Sequence, residues 1–355
     1  MMDFYNGKNI FITGHTGFKG SWLCQILNDV GANVSGYSLS PSVDENLFEI
    51  INIKDKVNSF FGDIRDIDKL KTFFDEVNPE IVIHMAAQPL VRESYINPVY
   101  TYETNVMGTV NILECLRDSN VKSFLNVTTD KVYENKEWVW PYRENETLCG
   151  YDPYSNSKSC SELVTFSYKN SFFRDVDDIA ISTARSGNVI GGGDFSKDRI
   201  IPDCVESAKI KEEIRVRNPN SVRPYQHVLE CLHGYLLLVQ KQYSNNDFEG
   251  SYNFGPDEEN SVSTGELVTK FCEKWGENIS WTSTLNNGPH ESNFLKLDSS
   301  KAKSILGWKP RWNIEIALEK VVEWTKDFFN EKNVIECMNN QINEYFGDNF
   351  NYSDL

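Results

Sequence analysis

Short apolar runs alternate with segments of helical spacing along the first half of the chain. The runs that we predict to be strands are residues 8–13, 32–39, 57–63, 80–84, 123–129 and 178–185. The helical segments are residues 18–31, 67–77 and 98–120, and a further helix begins near Tyr154. Strands separated by helix-length segments indicate βαβ units with parallel strands. The pattern therefore predicts an α/β fold with a doubly wound parallel sheet of the Rossmann type.

The regular alternation stops near Gly187, where loops rich in glycine, proline and asparagine appear among short helices. This change predicts a second, smaller α/β lobe in the C-terminal part of the chain. We expect residues 1–186 to form the Rossmann domain, with returning segments from about 225–255. We expect residues 187–355 to form mainly the second lobe, interleaved with the first domain.

The composition of the 355-residue chain excludes several classes of function. The formal net charge of −17 argues against nucleic acid and anionic membranes as partners. No stretch approaches the roughly 18 to 20 apolar residues that a membrane span requires, and the N-terminus lacks a signal-peptide pattern. The eight cysteines show no metal-ligand spacing, so no metal is expected. These features are typical of a cytoplasmic protein with reduced thiols.

Three glycines follow the first predicted strand and open the first predicted long helix. Gly14 permits a tight turn, Gly17 permits close approach of a ligand, and Gly20 lets the helix pack on the sheet. Such a loop presents N–H groups to a pyrophosphate, although the spacing alone also fits a structural turn. Its place directly after the strand favours a dinucleotide. The binding residues predicted in this loop are Gly14, Thr16, Gly17, Phe18, Lys19 and Gly20.

Two further loops leave the carboxyl ends of predicted strands and should line the same crevice. The cofactor-binding residues predicted in them are Asp63, Ile64, Ala86, Ala87 and Gln88. The carboxylate of Asp63 can accept a hydrogen bond from an adenine amino group, whereas Asp66 is better explained as a helix N-cap. His84 is interpreted as a packed residue at a strand end rather than a catalyst.

The loop after the second strand bears on the choice between NAD and NADP. An acidic residue there would bind the ribose hydroxyl of NAD, and an arginine would favour the phosphate of NADP. Residues 37–41 (YSLSP) contain neither. Because no basic residue is present, we predict NAD.

Tyr154 and Lys158 lie one helical turn apart, so their side chains share a face of the predicted helix. A nearby ammonium group is expected to lower the pKa of the phenol and make Tyr154 a base near neutral pH. The spacing occurs by chance in a chain with sixteen tyrosines, so the location of the pair matters more. We predict both residues to be catalytic and to contact the cofactor.

The fifth predicted strand ends in Thr129, Asp130 and Lys131, next to the same crevice. Thr129 can bind a hydroxyl group or relay its proton, and the other two can act as an acid/base pair. An ordinary turn at a strand end is the alternative interpretation. The combination with Tyr154 and Lys158 favours catalysis.

Several long segments carry a more specific pattern than these short motifs. They are residues 14–23 (GHTGFKGSWL), 86–109, 128–158, 188–203, 222–238, 252–256, 289–310 and Trp312. Together they resemble CDP-glucose 4,6-dehydratases, which are extended short-chain dehydrogenases/reductases. The resemblance covers almost the whole chain and implies a nucleotide-sugar dehydratase that uses NAD as an internal catalyst.

The resemblance implies a reaction without net oxidation. Tyr154 takes the proton of the hydroxyl on sugar carbon 4 while hydride passes to NAD, and water then leaves across carbons 5 and 6. Asp130 protonates the departing hydroxyl, and hydride returns to carbon 6. Many related hexose dehydratases have Asp-Glu at the position of Asp130-Lys131, whereas the CDP-glucose type is similar to this chain in having lysine. Lys131 can remove the carbon 5 proton only if its pKa is lowered.

A diphosphate substrate requires local positive charge in so acidic a protein. Arg223 and Asn188 resemble family residues that meet the phosphates, and Arg199 and Arg217 are further candidates that surface ion pairs would explain equally well. Glu291 is expected to reach the substrate ribose or base. The lobe formed by residues 187–355 is therefore expected to bind the substrate.

The resemblance also implies a homodimer, or a tetramer, because equivalent helices pair into a four-helix bundle in this superfamily. The helices concerned are those around 97–117 and 154–173. Alternative functions are a dehydratase for another nucleotide sugar, a nucleotide-sugar 4-epimerase, a dehydrogenase that consumes NAD, and a non-catalytic scaffold that binds nucleotide sugars. The acid/base pair at Asp130-Lys131 argues against the epimerase, which releases no water.

Overall fold

The computed structural model describes residues 1–41, 45–174, 179–284 and 293–347. The strands are β1 Asn9–Thr13, β2 Asn33–Ser38, β3 Asn58–Phe61, β4 Ile81–His84, β5 Ser123–Val127, β6 Ala180–Ser186, β7 Val189–Ile190, β8 Ile214–Val216, β9 Val222–Arg223, β10 Gln226–His227, β11 Ser251–Phe254, β12 Val262–Ser263 and β13 Trp281–Ser283. The α-helices are α1 Met2–Tyr5, α2 Phe18–Asp29, α3 Leu47–Ile50, α4 Ile67–Val77, α5 Val91–Ile96, α6 Pro98–Tyr102, α7 Gly108–Leu116, α8 Pro153–Phe172, α9 Ile200–Lys209, α10 Val228–Ser244, α11 Thr264–Trp275, α12 Ile314–Phe329 and α13 Val334–Phe346.

Seven parallel strands form the central sheet, in the order β11-β6-β5-β4-β1-β2-β3. From β1 the chain builds outward through β2 and β3, and then returns to the other side of β1 with β4. Ligands of doubly wound sheets bind at this change of direction, outside the carboxyl ends of the strands. The predicted Rossmann fold class is confirmed.

The central strands are apolar on both faces because helices cover both sides of the sheet. Ile10 and Ile12 of β1 face a core that includes residues of α2 and α10. Phe11 faces the opposite core, together with residues of α4 and α7. All three side chains are fully buried. This continuous burial explains why the strands could be recognised as short apolar runs.

The helix predicted over 98–120 is divided in the structure. It consists of α6, a π-helical segment at Glu103–Met107, and α7, and α5 precedes it in a segment for which no element was predicted. Gly108 starts α7 in close contact with Ile64, where a Cβ atom would lie 2.8 Å from Ile64 Cγ2. The π-helical segment and Gly108 therefore accompany packing against the loop that contains Ile64. The spacing of apolar residues within the helix does not reveal this packing.

The second part of the chain has a hydrophobic core of its own, which contains side chains from β8, α9, α11 and α12. Two later elements nevertheless belong to the first layer, because β11 pairs with β6 and α10 packs beside β5. The predicted domain division at 186/187 stays a prediction.

No helix in the described part of the chain has the length and apolar character needed to span a membrane. Within the same residues, no group of three or more histidine, cysteine or acidic side chains is arranged to hold a metal ion. The cytoplasmic location stays a prediction.

Candidate active site

The glycine loop between β1 and α2 is tightly packed at its first and last glycines. Gly14 has a φ of +78°, and a Cβ atom there would lie 2.8 Å from Ala86 N. A Cβ atom on Gly20 would lie 2.3 Å from Gly14 O. Gly17 differs, because its φ of −77° suits any residue and its Cβ would meet only Gly14 O, at 3.4 Å. Gly14 and Gly20 are thus required by the fold, while Gly17 leaves space at the N-terminus of α2.

Replacement of Gly17 by alanine tests cofactor binding separately from folding. We expect the variant to fold, with unfolding free energy changed by less than about 1 kcal/mol, and to bind NAD at least about tenfold more weakly. The added methyl group would enter the space through which a pyrophosphate approaches the backbone. Calorimetric titration with NAD and a thermal melt measure the two quantities. Unchanged NAD affinity would place the pyrophosphate elsewhere.

The other predicted cofactor loops lie next to this turn. Ala86 N donates a hydrogen bond to Thr13 Oγ1 at 3.1 Å, which joins the loop after β4 to the end of β1. The side chain of Gln88 is buried and donates to Thr101 Oγ1 at 2.9 Å, so it holds its loop in shape. Thr16 Oγ1 lies 2.8 Å from Ser38 Oγ at the end of β2. Ala87 continues the loop between Ala86 and Gln88.

The loop after β3 is ordered by its own charges. Hydrogen bonds from Arg65 hold the pKa of Asp63 below its usual range, and the two form an ion pair of 2.7 Å. Ile64 is buried in the sheet core. Asp66 caps α4 by accepting a hydrogen bond from Lys69 N at 3.2 Å, as predicted. The carboxylate of Asp63 therefore already has a cationic partner, and its contact with adenine stays a prediction.

His84 is a packed residue, as predicted. It is 1% exposed, and its ring nitrogens lie 2.7 Å from Thr13 Oγ1 and 3.3 Å from Thr109 Oγ1. Burial lowers the pKa of His84 to about 3, so the ring is neutral at pH 7. These contacts give it a structural role.

A cavity of about 350 Å³ opens at the carboxyl ends of β5 and β6 and extends to the second lobe. Of the predicted site residues it brings together Phe18, Lys19, Thr129, Asp130, Lys131, Tyr154, Asn188, Arg199, Arg217 and Arg223. The remaining predicted residues that the structure describes do not line it: Gly14, Thr16, Gly17, Gly20, Asp63, Ile64, Ala86, Ala87, Gln88 and Lys158. Glu291 lies outside the described residues. The cavity thus gathers the predicted catalytic residues except Lys158 and the described substrate residues, together with Phe18 and Lys19 of the glycine loop.

Tyr154 lies in the first turn of α8, which Asp152 caps by accepting a hydrogen bond from Ser155 N at 3.0 Å. Burial raises the pKa of Tyr154 to about 12, and a hydrogen bond with Thr129 opposes the rise. Lys158 donates to Val127 O at 3.0 Å, and burial lowers its pKa to about 7, helped by the charge of Lys19. The lowering of the Tyr154 pKa expected from the spacing to Lys158 is therefore not found. The reason is that desolvation disfavours the charged form of both groups.

Thr129 and Asp130 form a compact unit at the end of β5. Thr129 Oγ1 donates to Asp130 Oδ1 at 3.0 Å, while Oδ2 is buried without a hydrogen-bond partner among the described residues. Burial raises the pKa of Asp130, and the positive charges of Lys131 and Arg223 oppose the rise. A buried carboxyl group with a raised pKa keeps its proton to higher pH and can act as an acid.

The predicted substrate residues in the described part of the chain also line the cavity. Arg223 is 7% exposed on β9. Asn188 lines the cavity, and its carbonyl accepts a hydrogen bond from Gln226 N at 3.0 Å. Arg199 pairs with Asp194 at 2.9 Å and Arg217 pairs with Asp198 at 3.4 Å. The two arginines are thus ion-paired and also line the cavity.

Two features of the site were not identified from the sequence. Arg92 of α5 lines the cavity, although its segment was not predicted as an element. Glu162 and Arg185 form a fully buried ion pair of 2.8 Å beneath the site, and Thr128 donates to Glu162 Oε1 at 2.5 Å. The only local signal for the pair was a glutamate one helical turn after Lys158. It ties α8 and β6 to the residue that precedes Thr129.

Comparison with known proteins identifies relatives over almost the full length of the chain. The family model described as GDP-mannose 4,6 dehydratase matches residues 11–321. A CDP-glucose 4,6-dehydratase from Salmonella typhimurium is 47% identical over 349 residues, which cover 97% of each chain. The resemblance found in the sequence is thereby confirmed.

Solved structures of the same fold are more distant in sequence. A dTDP-glucose 4,6-dehydratase from Bacillus anthracis, solved with NAD, has a TM-score of 0.76 at 20% identity and covers 93% of this chain and 100% of its own. A UDP-glucose 4-epimerase from Thermotoga maritima has a TM-score of 0.77 at 23% identity, covering 90% of this chain and 99% of its own. These likenesses establish the fold, and the match to the family model goes further. The chain belongs to the GDP-mannose 4,6-dehydratase family of nucleotide-sugar dehydratases.

Proposed function

We propose that the protein is a hydro-lyase that converts CDP-glucose into CDP-4-keto-6-deoxyglucose with NAD as its internal cofactor. The observation that carries this proposal is the convergence of Tyr154, Thr129 and Asp130 on one cavity, which Arg223 also lines. The side chains of Tyr154, Thr129 and Asp130 can exchange protons with a sugar. The guanidinium group of Arg223 supplies positive charge for a diphosphate. The identity of 47% with a CDP-glucose 4,6-dehydratase supports the choice of cytosine as the base.

The loop after β1 fits a dinucleotide. Gly17 leaves space where Gly14 and Gly20 do not, and it stands at the N-terminus of the twelve-residue helix α2. Backbone N–H groups there attract a pyrophosphate. When bound, NAD would accept a hydride from the sugar and return it. The residues proposed to hold it are those of the loops after β1, β3 and β4, together with Tyr154 and Lys158.

In the proposed reaction, Tyr154 takes the proton of the carbon 4 hydroxyl and Thr129 orients that hydroxyl. Because burial raises the Tyr154 pKa to about 12, loss of its proton depends on nearby positive charge, to which Arg199 contributes. Lys131, which lines the cavity next to Asp130, is proposed to take the proton from carbon 5 in its neutral amine form. Asp130 gives its proton to the carbon 6 hydroxyl, which leaves as water. The raised pKa of Asp130 supports this role.

The decisive experiment incubates the pure protein and NAD with CDP-glucose, and separately with the dTDP-, GDP- and UDP-sugars. We expect CDP-glucose to lose one water per molecule, with many turnovers per NAD, as measured by mass spectrometry. If only another nucleotide sugar gives product, the assigned reaction stands and the assigned substrate is wrong. Sugar inversion without loss of water would overturn the dehydratase in favour of an epimerase.

We also propose that the protein forms a homodimer, as the family resemblance implies, with a tetramer as the alternative. Large apolar side chains are exposed on α5 to α8: Tyr95, Ile96, Val99, Tyr102, Met107, Leu163, Phe166 and Phe172. Helices α6 and α8 lie side by side, so these side chains share one region of the surface. Water contact with such a patch is unfavourable, which supports its burial against a second copy.

Replacement of Phe166 by glutamate is expected to convert the dimer into monomers. Phe166 is 67% exposed, so the change costs the single chain little, whereas a carboxylate in an apolar interface remains unpaired and desolvated. Light scattering after gel filtration measures the mass. The matched control is replacement of Ile305 by glutamate, because Ile305 is 44% exposed and lies outside this patch. The control variant should remain a dimer. A dimer that persists in the Phe166 variant would place the interface elsewhere.

A further inference from the structure

Asp198 holds two arginines at the cavity wall. Its Oδ1 atom lies 3.2 Å from Arg92 Nη1 and 3.4 Å from Arg217 Nη1. All three side chains line the cavity and are between about one-third and one-half exposed. A single carboxylate oxygen therefore bridges two guanidinium groups within the proposed substrate site.

The two arginines come from different parts of the fold. Arg92 lies on α5, which packs against α6 and α8 of the first domain. Arg217 directly follows β8, whose side chains belong to the core of the second part of the chain. Asp198 lies between them in the loop before α9. The bridge thus joins segments from two different parts of the fold at the cavity.

The backbone of Asp198 shows that this position is constrained. Its φ is +62°, in the left-handed region that aspartate and asparagine enter more easily than other residues with side chains. Asparagine at this position would keep the backbone conformation and the shape of the side chain while removing the negative charge. The substitution Asp198→Asn therefore tests the role of the negative charge without disturbing the backbone.

Ion pairs this exposed to solvent are weak and are exchanged readily for a stronger anion. A diphosphate carries more negative charge than one carboxylate and offers several acceptor oxygens in the geometry that arginine matches. Arg199 is held instead by Asp194, whose side chain is 4% exposed, against 45% for Asp198. The more exposed carboxylate of Asp198 is therefore the one that an entering ligand can displace from Arg92 and Arg217.

We propose that Asp198 is an internal counter-ion that occupies Arg92 and Arg217, and that the diphosphate of the substrate displaces it and binds both arginines. This inference rests on the proposed function, because it requires a nucleoside diphosphate group in the cavity. It adds Arg92 to the substrate-binding residues and makes Asp198 a competitor of the diphosphate for the two arginines. Ligands without phosphate do not displace the carboxylate, so the competition affects phosphorylated ligands and not free nucleosides.

The test compares CDP with cytidine in calorimetric titrations of the whole protein. Asp198→Asn is expected to tighten CDP binding by about three- to tenfold, since the arginines no longer have to leave a carboxylate. Cytidine binding should not change. Asp327→Asn is the matched control, because it also removes one negative charge from an ion pair, that with Lys332 on the surface, and leaves the cavity intact.

A second set of variants identifies the arginine involved. Arg92→Ala is expected to weaken CDP binding by about tenfold without affecting cytidine. In the Arg92→Ala background the gain from Asp198→Asn should shrink, because only Arg217 remains to be released. Residues that act independently would instead give additive changes.

Unchanged or weaker CDP binding by the Asp198→Asn protein would overturn the proposal, as would an equal gain for cytidine. If Asn fails to fold, Asp198→Gly removes the same charge and accepts the same φ. UDP, dTDP and GDP are titrated in parallel, and the Asp198 effect is measured on whichever binds best. A wrong base therefore shows as a change in the preferred nucleotide, whereas a wrong role for Asp198 shows as the absence of a phosphate-dependent gain.

Discussion

Replacement of Tyr154 by phenylalanine is expected to lower kcat for loss of water by about 10³-fold. The variant lacks the hydroxyl that is proposed to take the carbon 4 proton, and general acid–base catalysis contributes about 10²- to 10⁴-fold. Tyr154 is 9% exposed on the cavity wall, and its hydrogen bond with Thr129 is lost. Such a bond contributes about 1 kcal/mol to stability, so the variant should still fold. Single-turnover rates of product formation, followed by mass spectrometry, measure the effect.

Tyr168→Phe is the matched control for this prediction. Tyr168 lies on the same helix, donates its hydroxyl to Glu114 Oε1 at 2.6 Å, and does not line the cavity. Its replacement removes one hydroxyl at comparable structural cost and should leave kcat unchanged. If Tyr154→Phe retains more than about a tenth of the wild-type kcat, another group removes the carbon 4 proton, and the role assigned to Tyr154 is wrong.

The central sheet could be predicted because its strands are buried on both faces. Ile81, Val82 and Ile83 of β4 are all 0% exposed, and such runs read as short apolar segments between helices. The interruption of the long helix at Glu103–Met107 could not be predicted in this way. It accompanies contacts with distant residues, such as that of Gly108 with Ile64 and that of Asn105 with Ser157 at 2.9 Å. Side-chain spacing within one segment carries no information about such partners.

The catalytic candidates could be placed for a related reason. The carboxyl ends of parallel strands meet at one edge of a sheet, so Thr129 at the end of β5 and Tyr154 at the start of α8 converge. Arg92 and Asp198 are different, because each enters the cavity from a separate loop or short helix. Their relation depends on how the two parts of the chain face each other, and no local pattern encodes that.

The charge states of the site were the hardest to predict. A lysine one turn from a tyrosine indicates proximity, but the pKa of each group also depends on its desolvation. In the structure Lys158 is 4% exposed, and its lowered pKa of about 7 makes it a weaker source of positive charge than the sequence suggested. Burial is a property of the assembled fold, so the sign of the Tyr154 shift required the structure.

Asp130→Asn is expected to lower the rate of water loss by about 10²-fold or more while leaving proton exchange at carbon 5 in place. Asparagine has nearly the same shape as aspartate, and its oxygen can still accept the hydrogen bond that Thr129 Oγ1 donates to Asp130 Oδ1 at 3.0 Å. Unlike a protonated carboxyl group, it cannot give a proton to the carbon 6 hydroxyl. Burial raises the pKa of Asp130, so the wild-type rate should fall as pH rises through that pKa and the acid loses its proton. The descending limb should be absent in the variant.

Reactions in heavy water separate the two steps and the two residues. The Asp130→Asn protein is expected to return CDP-glucose that carries deuterium at carbon 5, because removal of that proton precedes loss of the hydroxyl. The Tyr154→Phe protein should return unlabelled substrate, since the carbon 5 proton becomes acidic only after Tyr154 has acted at carbon 4. An Asp130→Asn protein that neither exchanges nor dehydrates would contradict the assignment. Asp130 would then act through Thr129 on the first proton transfer, because Thr129 donates to Asp130 and also lowers the pKa of Tyr154.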